Sequence, residues 1–245
     1  MRKDIIIWSL GLEALAWNIK SIDAFQTAKA AGFEGVELAL HEFGSGGDIT
    51  VNLQKNAEGG LVGDGVETVI LADNVHQAQR QTGLVSDCLS TGLYWGYSLS
   101  ANDELTRRTA LNIAKAQIQA AHDLSLKYIL LVPGAVKVTF DPKSEKVPYQ
   151  AVWERASKAI GEELEPLAKK LGVIIGLENV GNDFLLIPGE FKKFIDQFKS
   201  PYVRMYFDAA NVVYNSRRPC VGDPAYWIGE LGDRIAKVHI KDFLA

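Results

Sequence analysis

Short apolar runs alternate with longer stretches of helical periodicity along the whole chain. The runs Ile5–Leu10, Gly35–Leu40, Leu84–Ser90, Tyr128–Val132, Val173–Glu178, Val203–Phe207 and Ile235–Ile240 are almost continuously apolar. That is the pattern of parallel strands covered on both faces. Helices are predicted between them. Ser21-Ile22-Asp23 opens one that runs to Ala31, with Gly32 as its stop, and Asn102 can cap another over Asp103–Leu126. Val152, Ala156, Ile160, Leu164, Leu167 and Leu171 recur at helical spacing, predicting a helix over Tyr149–Leu171 closed by Gly172. Further helices are expected at Val66–Gln81, Pro188–Phe198 and Pro224–Leu231.

Strand followed by helix without interruption means βαβ units and a parallel sheet. The expected fold class is α/β, a TIM (β/α) barrel formed as a single domain over residues 1–245. The strand series ends on its seventh member, so the reading is of a barrel without its eighth strand and last helix, in a chain truncated at the C-terminus. Residues 41–65, with Gly44, Gly46, Gly47, Gly59, Gly60, Gly63 and Gly65, form a connection too long for a plain turn. A loop of that length is expected to be a lid or an oligomer contact.

Composition narrows the partners. The 245 residues are 47% hydrophobic and 23% charged with a net charge of -4, which excludes disorder and argues against a nucleic-acid surface built on clustered Lys and Arg. There is no apolar run long enough to span a membrane. Cys88 and Cys220 stand alone without a CxxC, which fits buried thiols in a reducing compartment and a cytoplasmic location. The basic start Met1-Arg2-Lys3 and the short apolar run after it look like a signal peptide, but Asp4 and Glu13 interrupt the pattern and a first strand suits the same residues.

Reactive groups of a parallel barrel sit at the C-terminal ends of its strands. Glu178, Asp208 and His239 each close an apolar run, on three successive strands. Two crowded carboxylates repel unless a proton or cation neutralises them. With an imidazole added, the O/O/N set suits one divalent metal, Mn²⁺, Mg²⁺, Co²⁺ or Zn²⁺. Around this set, Trp8, His41, Trp95 and Lys241 are candidate substrate contacts, and Lys241 has an ion pair with Asp242 as its alternative. Asn179 and Asn211 are placed to orient ligands by hydrogen bonds, whereas His76 and His122 fall in helical stretches.

The segments Gly32-Phe33-Glu34-Gly35-Val36-Glu37-Leu38, Leu177-Glu178-Asn179-Val180, Tyr206-Phe207-Asp208-Ala209-Ala210-Asn211-Val212 and Val238-His239-Ile240-Lys241-Asp242-Phe243 resemble the xylose isomerase-like TIM barrels. More narrowly they resemble the sugar and sugar-phosphate isomerases and epimerases, among them the ketose 3-epimerases. The resemblance covers essentially the whole chain. It implies a divalent metal held by Glu178, Asp208 and His239, with Glu178 also the acid/base group. It also implies a substrate contact at Asn211, where ketose epimerases carry a histidine. The family's fourth ligand, a glutamate from the eighth strand, has no counterpart here. The implied reaction is proton transfer on a ketose or ketose phosphate through a cis-enediolate, by a soluble enzyme with small-molecule partners and room for a homo-oligomer.

Three other readings share the barrel. A lyase of the inosose dehydratase type would use the same metal and base to expel water. A degenerate barrel would bind carbohydrate without catalysis. A DNA-repair relative with a zinc cluster would need more histidines at strand ends than His41 and His239, and a basic face.

Overall fold

The computed structural model describes residues 2–10, 20–215 and 222–241. Their contacts group the chain into two compact units, Met1–Leu93 with Asn112–Ile129 and Tyr94–Leu111 with Leu130–Ala245. Among the described residues no helix is long and apolar enough to cross a membrane.

In the first unit, β1 (Asp4–Ile6) pairs in parallel with the start of β2 (Gly35–Glu42). β2 pairs in parallel with β5 (Cys88–Thr91), which pairs with the start of β6 (Tyr128–Leu131). Helix α1 (Ser21–Ala30) connects β1 to β2, and α2 (Ala72–Thr82) precedes β5. Ile5–Leu10 was expected to be one strand, but the chain leaves β1 after Ile6 for a 3-10 turn over Ile7–Ser9.

The predicted long loop is a hairpin. Residues of β3 (Ile49–Lys55) and β4 (Leu61–Ile70) pair antiparallel, and β3 also joins the end of β2 through His41↔Thr50 and Glu42↔Val51. The expected helix over Val66–Gln81 is therefore corrected: its first five residues belong to β4, and only α2 is helical. Val66, Val69 and Ile70 have a spacing that suits a helix, yet they are β-branched and lie opposite Leu53, Thr50 and Ile49. Two glycines of this segment lie against a side chain of the facing strand. A side chain at Gly63 or Gly65 would run into that of Gln54 on the partner strand.

The second unit continues the parallel series. The end of β6 is followed by β7 (Ile174–Glu178), β8 (Val203–Asp208) and β9 (Ile235–His239), with β7 on β8 and β8 on β9 in parallel register. Helix α3 (Glu104–Asp123) is capped by Asp103, whose carboxylate accepts the Thr106 N–H at 2.7 Å, rather than by Asn102 as its sequence position suggested. The predicted helix over Tyr149–Leu171 is α4 (Tyr149–Lys158) and α5 (Glu165–Leu171) joined by a π-helical turn over Ala159–Leu164. Pro166 is the cause: it brings no N–H and its ring crowds the carbonyl four residues back, which a wider turn relieves. Gly172 closes α5 in the left-handed region at φ 72°. α6 (Pro188–Asp196) and α8 (Pro224–Leu231) form as expected, while α7 (Ala209–Asn215) is a short helix without a predicted counterpart.

Aromatic side chains build the core of this unit. Phe194 stands edge-on to Trp153 at 4.9 Å, and Trp227, 2% exposed, packs against Phe191 and Phe207. Trp227→Ala leaves a large cavity in the layer behind β8 and is expected to cost about 3–5 kcal/mol, read as a lowered urea midpoint at unchanged slope.

Candidate active site

Glu178, Asp208 and His239 are each the last residue of their strand, β7, β8 and β9. Because the strands are parallel and adjacent, the three side chains leave the sheet at one end. The register pairs Asp208 with His239 and Glu178 with Tyr206. Side chains two apart on a strand share a face, so Tyr206 lies beneath Asp208, and its ring is 4.4 Å from the His239 imidazole, centroid to centroid. Tyr206 was not singled out from sequence. Its position two residues before Asp208 in an apolar run was the available signal.

One potential ligand atom from each of the three residues lies within 4.8 Å of the others. His239 Nδ1 is 3.2 Å from Glu178 Oε1. Burial pushes the Glu178 carboxyl above its ordinary range, while the hydrogen bond from His239 pulls it back. Asp208 is fully buried. Its Oδ1 accepts the Asn211 N–H at 2.8 Å, which starts α7. Its Oδ2 is buried without a hydrogen bond, and the Lys241 ammonium stands 2.8 Å away as an ion pair.

Asn179 continues the β7–β8 ladder beyond the strands with its side chain. Its Nδ2 donates to the Asp208 carbonyl and its Oδ1 accepts the Asp208 N–H, both at 2.8 Å. The Asn211 amide in turn donates to the Asn179 carbonyl at 2.8 Å. The spacing of Glu178 and Asp208 is thus fixed by a closed ring of hydrogen bonds among Asn179, Asp208 and Asn211. A divalent cation fits this set: a buried carboxylate oxygen that the backbone leaves over, a second carboxylate and an imidazole converge, and a cationic side chain already faces that oxygen.

The structure brings Glu178, Asp208, His239, Asn211 and Lys241 together. Trp95 is in the same unit, 38% exposed, with its ring edge-on to Phe140 at 4.9 Å. His41 is buried near the end of β2 in the first unit. Trp8 falls in the turn after β1, and its side chain lies outside the described residues, as do Cys220 and Asp242. Cys88 is buried, with its Sγ 4.0 Å from the Ser90 hydroxyl oxygen.

Burial lowers the His41 imidazole to about 4. The folded state then binds fewer protons than the unfolded chain between the ordinary histidine value and that lowered one. His41 consequently contributes stability above pH ~6.5 that is lost as pH falls toward 4, about 3 kcal/mol in all. His41→Gln is expected to flatten the stability profile across that window, measured by urea unfolding at neutral and mildly acidic pH. An unchanged profile would show that His41 is not buried as a neutral ring.

The comparisons with known proteins bear on the fold. Compared with curated protein sequences, the chain has no match. Among solved structures, L-ribulose 3-epimerase is similar with a TM-score of 0.66 at 18% identity, covering 98% of this chain and 70% of that one. D-psicose 3-epimerase from Clostridium cellulolyticum H10, solved with D-tagatose, is similar with a TM-score of 0.73 at 15% identity, covering 99% of this chain and 73% of that one. The 3-keto-D-glucoside 4-epimerase of E. coli is similar with a TM-score of 0.63 at 16% identity, covering 91% and 74%. At these identities the likeness is one of fold. The family model described as Xylose isomerase-like TIM barrel matches residues 25–245. With that match spanning most of the sequence, the chain belongs to the xylose isomerase-like TIM barrel family.

Proposed function

We propose that the chain is a divalent-metal-dependent epimerase or isomerase of a ketose or ketose phosphate, with Glu178 as the base. The observation that carries this reading is the convergence of Glu178, Asp208 and His239 at the ends of three adjacent parallel strands. The three similar structures named above are sugar epimerases, which supports the same reaction class.

A proton on the carbon beside a carbonyl is too weakly acidic to leave unaided. A divalent cation held by Glu178, Asp208 and His239 would supply Lewis-acid stabilisation of the charge that develops on the substrate oxygens. Glu178 takes the proton, giving a cis-enediolate. Its burial keeps bulk water from competing for that proton. Return of the proton by Glu178 to the neighbouring carbon gives an aldose–ketose pair, and an epimer forms when a second acid on the other face supplies the proton there. His239 holds Glu178 in place through the Nδ1 contact, and the Asn179 and Asn211 hydrogen bonds hold Asp208. Lys241 and Asn211, which adjoin Asp208, are proposed substrate contacts, as are His41, Trp8 and Trp95.

The test is metal-reconstituted protein offered a panel of ketoses and ketose phosphates, with products separated chromatographically. Interconversion of epimers or of an aldose and a ketose supports the reading. A dehydrated product would move the chain to the lyases on the same site. Binding of sugar with no product from any panel member would make it a carbohydrate-binding barrel.

A further inference from the structure

We propose that Lys241 is a built-in counter-ion of Asp208 that a divalent cation must displace, so that this lysine sets how tightly the centre holds metal. The inference rests on the metal-centre reading above. It comes from the unequal roles of the two Asp208 oxygens. Oδ1 is committed to the Asn211 N–H at the start of α7. Oδ2 is the oxygen that remains for a cation. It is buried, has no hydrogen bond, and has the Lys241 ammonium at 2.8 Å.

A carboxylate taken out of water is costly unless a positive charge accompanies it. The Lys241 ammonium supplies that charge. Glu178 is accompanied differently, by the imidazole of His239, and both of those groups stay as ligands when metal enters. Lys241 cannot stay. A dication on Oδ2 and an ammonium bound to the same oxygen would repel at short range, in a site where burial leaves little screening.

The lysine is also built to leave. Its side chain is 53% exposed while its Asp208 partner is 0% exposed, so the flexible stem can swing into solvent without disturbing β9. The bound and metal-free forms thus differ in where this ammonium points. Metal affinity is lower than the three ligands alone would give, by the strength of the pair that has to be broken.

The experiment is calorimetric titration of Mn²⁺ into the metal-stripped full chain, in the wild type and in Lys241→Met and Lys241→Arg. Lys241→Met keeps the stem and removes the charge, and it is expected to bind Mn²⁺ roughly tenfold more tightly than the wild type. Lys241→Arg keeps the charge and should stay within about threefold of the wild type. Thermal melting gives a second readout. Metal-stripped Lys241→Met should melt below the wild type, and Mn²⁺ should raise its midpoint by the larger amount. If Lys241→Met binds Mn²⁺ with wild-type affinity or more weakly, the displacement is wrong and the metal-centre reading stands. If none of the three proteins binds Mn²⁺, the metal-centre reading fails and the displacement fails with it.

Discussion

Glu178→Gln is expected to lower the rate of proton exchange on the substrate by at least about a thousandfold while the protein keeps its fold. A positioned general base alone contributes about 10²–10⁴-fold. This residue is proposed to act as a metal ligand as well, so the loss should fall in the upper part of that range. Glutamine matches glutamate in size and can still accept the hydrogen bond from His239, so the ring of contacts around β7 and β8 should survive. What glutamine cannot do is take a proton from carbon or offer an anionic oxygen to a cation. The measurement is kcat on whichever ketose the wild type turns over, with circular dichroism to confirm folding. A variant that keeps more than about a tenth of wild-type turnover would exclude Glu178 as the base.

Asp208→Asn is expected to weaken Mn²⁺ binding by about a hundredfold or more while leaving the start of α7 intact. The substitution separates the two jobs of this side chain. An asparagine oxygen can still accept the Asn211 N–H, as Asn is a good N-cap. The oxygen facing Lys241 becomes a neutral amide, which cannot replace an anionic ligand for a hard dication. Lys241, half in solvent, can point outward once its partner is gone. The checks are Mn²⁺ titration and the urea midpoint. Loss of metal with little loss of stability is the expected pair of results. A cooperative unfolding transition that collapses along with metal binding would mean that Asp208 is chiefly a structural residue.

Much of this architecture was legible in the pattern of apolar residues because buried parallel strands must be apolar on both faces. Each of the seven expected runs overlaps a strand, though Ile5–Leu10 yields only two strand residues, Ile5 and Ile6. Glu178, Asp208 and His239 were legible for a related reason: a charged or titratable residue ending such a run has to leave the sheet at its rim.

The hairpin was not legible. Val66, Val69 and Ile70 fit a helical stripe as well as a strand, and what decides between them is pairing with Ile49, Thr50 and Leu53, which local spacing cannot show. The cap of α3 moved by one residue for a similar reason. Asn102 and Asp103 are both good caps, and Asn102 is drawn elsewhere, its N–H to Glu145 and its side chain to the Lys146 carbonyl. The partner of Lys241 was not legible either, since it depends on which oxygen of Asp208 the backbone of α7 leaves over.

The central claim is that Glu178 moves a carbon-bound proton at a centre that needs a divalent cation. It is tested most directly by incubating the chain with ketoses and ketose phosphates in D₂O and following the substrate by proton NMR, with Mn²⁺ and after chelation. Deuterium should enter at the carbon beside the carbonyl of at least one sugar when Mn²⁺ is present, and chelation should stop it. Exchange that continues undiminished after chelation, or no exchange into any sugar with Mn²⁺ bound, would contradict the claim.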